Sequence, residues 1–170
     1  MLFIDSREKR VNRDLFASAA GPATVLFLEC ADFLLFDKDG HSLGIERKSV
    51  SDLLGSLSKR RVDNNNVRLD DQLDRMKSAY SHRMLLIEGR LQFNVVSKKI
   101  ITGQRQTQWW HWSIQAILWS IQAGGTTVMW TDDKHATGDL LRGLHQRAER
   151  GCVLPRALKD SEQEEMEIAA

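Results

Sequence analysis

The sequence predicts an α/β protein, a three-layer sandwich in which a central mixed β-sheet is flanked by helices. Short β-prone runs alternate with amphipathic helical stretches, which is the pattern of strands covered by helices. A predicted hairpin at residues 32–46 adds antiparallel pairing to the sheet. The length of 170 residues fits one domain. We place that domain at residues 1–150 and expect a flexible acidic tail at residues 151–170.

The first elements follow from the N-terminus. The apolar run at residues 2–4 predicts part of a buried strand, and a helix is predicted at residues 12–20, ended by Gly21 and Pro22. Residues 24–28 are continuously β-prone, which is typical of a strand covered on both faces.

A hairpin and a capped helix are predicted next. Residues 32–36 and 42–46 are the two arms, because the Asp-Gly pair at residues 39–40 is a strong turn signal. Ser49 and Asp52 have the spacing of a capping box, so a helix begins there and turns its leucines inward.

The second half of the chain alternates in the same way. Apolar residues spaced by four, three and four over residues 69–80 predict a helix with one apolar stripe. Residues 83–88 and 126–130 are predicted strands, and residues 136–149 a last helix. Residues 91–108 have mixed polarity, and the sequence leaves open whether they form a basic hairpin or a loop.

Residues 109–122 are predicted as a helix that is apolar on two faces. At about 100° per residue, Trp110 shares a face with three isoleucines, whereas Trp109, Trp112 and Trp119 lie roughly opposite. Such a helix cannot pack against the sheet alone without leaving tryptophans in water. Complete burial, a subunit interface and a base-stacking platform remain as alternatives.

Charge and composition limit the classes of function. The net charge is +1, and residues 159–170 hold one lysine against five acids, so residues 1–158 carry +5. That excess suits a polyanion partner. No apolar run reaches the roughly 18 residues that span a bilayer, and the charged N-terminus is unlike a signal peptide. The two cysteines, Cys30 and Cys152, are too few and too distant for a zinc site or a disulfide framework.

The chemistry is concentrated in the hairpin. Side chains alternate along a strand, so Glu46 and Lys48 point to one side and Arg47 to the other. Antiparallel pairing brings Asp32 close to Glu46 and Lys48. Two carboxylates suit Mg²⁺ or Mn²⁺, and a cation there would relieve the repulsion between them. A lysine beside the metal can orient or deprotonate a water, so the set suits phosphodiester hydrolysis.

A longer pattern surrounds these residues. The segments DSRE at residues 5–8, ADF at 31–33 and IERKSVSDLLGSL at 45–57 closely resemble the nuclease domain of the xeroderma pigmentosum group F (XPF) family. Arg68, Gln72 and Met76 also match a spacing in that domain. The resemblance implies a restriction-endonuclease-like fold of the PD-(D/E)XK superfamily. The sequence departs from the family at Ala31, where relatives carry glycine.

The resemblance also implies roles for individual residues. Asp32, Glu46 and Asp5 would be ligands of Mg²⁺ or Mn²⁺, and Lys48 the group that activates water or contacts phosphate. The residues expected to support this site are Arg7, Glu8, Arg47, Asp52 and Gln72. Three of them could instead have a purely structural role. Asp52 could cap a helix. Arg47 could form an ion pair with Asp52 or Glu8, and Glu8 could be the acid of that pair.

We therefore expect a divalent-metal-dependent DNA endonuclease that cuts branched or flapped DNA in repair or recombination. The alternatives are a restriction-like nuclease of a phage or mobile element and a non-catalytic DNA-binding or assembly subunit. A homodimer or heterodimer would form through residues 109–122. The protein would be intracellular, cytoplasmic in a prokaryote or phage and nuclear in a eukaryote. The expected DNA-binding cations are Lys59, Arg60, Arg61, Arg68, Lys98, Lys99 and Arg105.

Overall fold

The computed structural model describes residues 1–57 and 68–151. Nine strands lie in this part of the chain: β1 (Leu2–Asp5), β2 (Ala23–Leu26), β3 (Phe33–Phe36), β4 (Ser42–Ser49), β5 (His82–Glu88), β6 (Gln92–Phe93), β7 (Lys99–Thr102), β8 (Arg105–Trp110) and β9 (Thr127–Thr131). The helices described are α1 (Arg10–Ala20), α2 (Val50–Ser56), α3 (Leu69–Ala79), α4 (His111–Ala123) and α5 (Lys134–Glu149).

Six of these strands form the central sheet, in the order β2-β1-β3-β4-β5-β9. The pairs β1–β2, β4–β5 and β5–β9 are parallel, and β3 pairs antiparallel with both β1 and β4. The predicted hairpin is therefore confirmed, and it is what makes the sheet mixed. The central strands β4 and β5 are buried over most of their length.

Each face of the sheet carries its own apolar core. On one face, residues such as Ile4, Ile45 and Leu86 pack with Phe16 of α1 and Leu141 of α5. On the other, Leu85 and Ile87 pack with residues of α2, α3, α4 and β7. The three-layer α/β sandwich predicted from the alternation of elements is confirmed.

Two local expectations are wrong. The sequence predicts that the strand at residues 24–28 is covered on both faces, but β2 is an edge strand whose Val25 and following Phe27 are exposed. The helix expected to begin at residue 109 begins at His111, because Trp109 and Trp110 complete β8. Alternation along that strand turns Trp109 toward the core and Trp110 toward solvent, so Trp109, and not Trp110 as predicted, lies with the three isoleucines.

The segment whose structure the sequence left open forms a second sheet. Strands β6, β7 and β8 pair antiparallel in that order, and Ile100 of β7 is buried in the core beneath α4. Across the described ranges, no helix is long and apolar enough to cross a membrane. The expected tail beyond residue 151 lies outside the described residues, as do Lys59, Arg60 and Arg61.

Candidate functional site

The hairpin brings Asp32 next to the end of β4. The Asp32 amide donates to the Ile45 carbonyl over 2.9 Å, so the antiparallel pairing of β3 and β4 extends to this residue. The Arg47 amide in turn donates to Asp32 Oδ2 over 2.7 Å. The Asp32 carboxylate is therefore held beside Glu46, as the sequence predicts.

Glu46 and Lys48 lie on the sheet face that α3 covers. Lys48 Nζ is 2.8 Å from Glu46 Oε1, and the side-chain amide of Gln72 in α3 donates to the same oxygen over 2.9 Å. Glu46 is only 6% exposed. One buried carboxylate oxygen of Glu46 thus accepts from both Lys48 and Gln72, so Gln72 is in direct contact with the predicted catalytic residues.

Asp5 joins this edge from β1. Its amide donates to the Asp32 carbonyl over 2.9 Å, so the two residues are neighbours across the sheet. The Asp5 carboxylate is buried and accepts from the Arg7 amide and from Arg7 Nε, each at 2.8 Å, and from the Arg7 terminal nitrogen. Arg7 also donates to the Leu28 carbonyl over 2.6 Å. Arg7 is therefore the ion-pair partner of Asp5.

The electrostatics show how closely these acids interact. Burial and then the charge of Glu46 raise the pKa of Asp32 to about 7, against the opposing effects of the Arg47 amide and Lys48. The pKa of Arg7 is raised in turn, mainly by its hydrogen bond to Asp5 and also by the charges of Asp5, Asp32 and Glu46. Three acids, Asp5, Asp32 and Glu46, thus interact at one edge of the sheet.

The donor set fits a hard divalent cation. Asp5, Asp32 and Glu46 supply carboxylate oxygens, which Mg²⁺ and Mn²⁺ prefer. The amide oxygen of Gln72 is buried and, within residues 1–57 and 68–151, accepts no hydrogen bond. A buried unsatisfied oxygen beside Glu46 is a feature that a cation or its bound water would satisfy.

A different group of acids is more tightly clustered. Asp37, Asp39 and His41 have ligand atoms all within 4.8 Å of one another, and among the described residues they alone meet that criterion. They lie at the β3–β4 turn, at the far end of the hairpin from Glu46. Asp37 Oδ1 accepts from the Asp39 and His41 amides at 3.0 and 2.9 Å, so the turn itself accounts for this arrangement.

Arg47 faces the opposite side of the sheet, as its position in the strand predicts. Its guanidinium donates to Glu8 over 2.7 Å and to Glu88 over 3.2 Å, and lies 5.5 Å from the centre of the Phe16 ring. Of the two partners expected for Arg47, Glu8 is therefore correct and Asp52 is not. Glu88 was missed, although an acid closing an apolar strand is a signal that could have identified it.

Asp52 makes the contacts of a helix cap. Its amide donates to Ser49 Oγ over 3.1 Å, and Ser49 Oγ donates to the Asp52 carboxylate over 2.7 Å. The predicted capping box at the start of α2 is confirmed, and both side chains lie at the surface.

The loop that leads into Asp32 is held by a residue the sequence did not single out. Ala31 has a φ of 87°, in the left-handed region where relatives of the resembled family have glycine. The Tyr80 hydroxyl donates to the carbonyl of the preceding Cys30. The Tyr80 ring lies against Gly44 of β4, where an added Cβ would sit 2.1 Å from the ring.

Four of the predicted DNA-binding cations belong to the described part of the chain, where they lie in two places. Arg68 is exposed and pairs with Asp70 over 3.0 Å. Lys98, Lys99 and Arg105 belong to the second sheet and its turn, and Lys98 and Arg105 are exposed.

Comparisons with known proteins agree with this architecture. A family model described as the ERCC4 domain matches residues 4–144. XPF from Aeropyrum pernix superposes with a TM-score of 0.65 at 22% identity, covering 86% of this chain and 65% of its own. XPF from Aeropyrum pernix in complex with DNA gives a TM-score of 0.63 at 19% identity, covering 92% of this chain and 68% of its own. No curated protein matches.

Proposed function

The chain belongs to the ERCC4 domain family, a family of nuclease domains, and on that premise we propose that it is a divalent-metal-dependent DNA endonuclease. The observation that carries the proposal is the Asp32 carboxylate, which the Arg47 amide holds beside Glu46 although burial, and then the charge of Glu46, raise the pKa of Asp32 to about 7. A fold that maintains such repulsion without an obvious structural gain is typical of a catalytic site.

Each side chain of the set has a proposed role. Asp32 and Glu46 would hold Mg²⁺ or Mn²⁺, with Asp5 as a further ligand directly or through water. When bound, the cation would supply an activated water and offset the charge that develops on the phosphate. Lys48, which already reaches Glu46 at 2.8 Å, would orient that water or contact the phosphate.

The surrounding residues position this set. Gln72 holds Glu46 from α3, and Arg7 neutralises Asp5. Arg47 ties the reverse side of β4 to Glu8 and Glu88, so the strand that carries Glu46 and Lys48 is fixed on both faces. Because a small displacement of a catalytic group costs much of the rate, these contacts belong to the working site.

The substrate we propose is DNA, and within DNA a branched or flapped structure. The XPF from Aeropyrum pernix that this chain resembles is described in complex with DNA. The cations Arg68, Lys98, Lys99 and Arg105 would contact the phosphate backbone, since such contacts supply most of the affinity for nucleic acid.

We also propose that two copies pair through α4. Trp112 and Trp119 lie seven residues apart on the outer face of this helix, are 63% and 70% exposed, and have Ala116 between them. Helix α4 carries no aspartate, glutamate, lysine or arginine. Its outer face can therefore meet a second copy of itself without bringing like charges together.

Cleavage of labelled DNA tests the proposed activity. The purified protein is incubated with Mn²⁺ and with flap, four-way junction, linear duplex and single-stranded substrates. We expect cutting in one strand of the branched forms, at least tenfold faster than in linear duplex. Glu46→Gln and Asp32→Asn should lower the rate by about a thousandfold or more, because each removes a charged metal ligand.

The matched control is Asp39→Asn, which removes a carboxylate of the acidic turn at the far end of the same hairpin. It should cleave at the wild-type rate. Equal cleavage of linear and branched DNA would favour the restriction-like nuclease instead. Absence of cleavage on every substrate, with DNA binding retained, would refute the enzyme and favour the non-catalytic subunit.

A further inference from the structure

One stretch of the chain is free of negative charge. Residues 89–131 contain no aspartate or glutamate, although the chain's average of 23 in 170 would give about six in 43 residues. The same stretch holds Arg90, Lys98, Lys99 and Arg105, a formal charge of +4 with histidine neutral. An uninterrupted positive segment attracts a polyanion, and no acid within it repels one.

The second sheet, β6 to β8, lies in this segment and leaves the main sheet at the edge of the proposed active site. Strand β5 ends at Glu88, whose register partner is Ser49 at the end of β4, directly past Lys48. Gly89 then turns the chain into the second sheet. Ile100 of that sheet packs in the same core as Ile87, on the face of the main sheet that carries Glu46 and Lys48. The second sheet and the proposed catalytic groups therefore share one side of the molecule.

The outer face of the second sheet is polar and aromatic. Register pairs Lys99 with Trp110 and Ile101 with Gln106, so these side chains point the same way, while Ile100 and Trp109 pack inward. Trp110 is 42% exposed, and the Lys99 ammonium lies 5.6 Å from the centre of its ring. We define the outer face by six side chains, namely Gln92, Lys99, Ile101, Gln106, Gln108 and Trp110.

We propose, resting on the proposed function, that this outer face binds the unpaired strand of branched DNA, with one base stacked on Trp110. The Lys99 ammonium at the ring would contact a phosphate of the same strand. Gln106 and Gln108 offer both donors and acceptors, which suits the exposed edges of unpaired bases. A duplex buries the faces of its bases, so an exposed tryptophan beside a lysine fits a single strand better.

The adjoining turn has the same character. Val95 and Val96 are 72% and 92% exposed at the turn between β6 and β7, next to Lys98. The Asn94 side chain accepts from the amides of Val96 and Ser97, each at 2.9 Å, so the turn is held in one shape. Apolar side chains presented on a fixed, positively charged turn can contact base faces or separate a base step.

Binding to labelled oligonucleotides tests the proposal. Affinity is measured by fluorescence anisotropy in EDTA, in the Asp32→Asn background, for a single strand, a duplex with a single-stranded tail, and a blunt duplex. Trp110→Ala should weaken binding to the first two by about tenfold and leave the blunt duplex within twofold, because stacking on one aromatic ring contributes roughly 1–3 kcal/mol per base. Trp110→Phe keeps a ring and should restore most of the affinity.

A charge-matched pair of variants tests the phosphate contact. Lys99→Gln should reduce the slope of log affinity against log salt by about 0.7 for the single strand. Lys77→Gln, on the exposed last turn of α3, should leave the slope unchanged. Unchanged affinity in Trp110→Ala, or an equal loss on the blunt duplex, would overturn the proposal. The proposed nuclease activity is judged separately, by cleavage with wild-type protein, so either idea can fail without the other.

Discussion

The backbone amide of Arg47 donates a hydrogen bond of 2.7 Å to the carboxylate of Asp32. This contact joins the two arms of the hairpin next to Glu46, and it holds the Asp32 carboxylate where the charge of Glu46 acts on it. Because the donor is backbone, substitution of the Arg47 side chain leaves it in place. The position of Asp32 therefore depends on the pairing of β3 with β4, and its protonation state depends on its burial and on the neighbouring Glu46.

Asp32→Asn is expected to stabilise the metal-free protein above pH 7. Burial and Glu46 raise the pKa of Asp32 from near 4 to about 7, so between these values the folded state binds more protons than the unfolded chain. The stability due to that proton is fully present below pH 4 and is lost as the pH rises through 7. Asparagine keeps the acceptor for Arg47 without the charge. We expect a gain on the order of 2 kcal/mol at pH 8, measured by urea unfolding.

At pH 4 the same variant should differ from the wild type by only about 0.4 kcal/mol, because Asp32 is then protonated in the folded state and about half protonated in the unfolded chain. Asp39→Asn serves as the control, and its stability should follow that of the wild type at both pH values. A gain of equal size at pH 4 and pH 8 would show that the buried charge of Asp32 is not its cause.

Arg47→Ala is expected to destabilise the protein by about 3 kcal/mol. The substitution leaves Glu8 and Glu88, whose side chains are almost buried, without their shared cation. Asp52→Ala removes only the acidic member of a surface cap and should cost about 1 kcal/mol or less. Chemical denaturation at pH 7 compares the free energies of unfolding of the two variants. Equal losses of stability would contradict the role of Arg47 as the shared ion-pair partner of Glu8 and Glu88.

The network around Arg47 also predicts an acid dependence opposite to that of Asp32. Burial raises the pKa of Glu8, but hydrogen bonds from Asn12 and Arg47 outweigh it, so the pKa of Glu8 lies below its ordinary value. The stability from the Glu8 carboxylate is present above pH 4.5 and is lost as the pH falls. Glu8→Gln should therefore be destabilising at pH 7 and less so at pH 3, as followed by denaturant midpoints.

Gly44→Ala is expected to destabilise the fold by about 2 kcal/mol and to lower the cleavage rate. Its new Cβ would lie 2.1 Å from the Tyr80 ring, so the ring must move and with it the hydroxyl that holds the Cys30 carbonyl. Tyr80→Phe keeps the ring and loses only that bond. Tyr80→Phe should therefore lose less stability and less of the cleavage rate than Gly44→Ala. Full activity in Gly44→Ala would show that the loop before Asp32 does not depend on Tyr80.

Replacing Trp112 and Trp119 together by serine is expected to convert a dimer into a monomer. These side chains form the exposed apolar face of α4, and no charged residue of that helix would oppose self-association. Sedimentation velocity at micromolar concentration reads the mass directly. A wild-type monomer, or a double variant that stays dimeric, would contradict the proposed contact.

The sequence predicts the proposed catalytic edge more fully than its surroundings. The turn signal before residue 42, the alternation of Glu46, Arg47 and Lys48, and the capping box at Ser49 are local patterns with local physical causes. Each is confirmed as structure, and together they place Asp32 beside Glu46.

What the sequence could not predict depends on distant partners. An edge position for β2 is decided by strand order, which a β-prone run does not encode. Trp109 and Trp110 fit either a strand or a helix until the pairing of β7 with β8 selects the strand. The bond from Arg47 to Glu88 spans 41 residues between parallel neighbouring strands, so no local spacing shows it.

Anomalous diffraction from crystals of the protein soaked in Mn²⁺ tests the central claim most directly, because it locates the cation without assuming an activity. We expect a peak in contact with the carboxylates of Asp32 and Glu46, and no peak there in Glu46→Gln. A peak at the acidic turn of residues 37–41 with none between Asp32 and Glu46, or no peak at all, would contradict it.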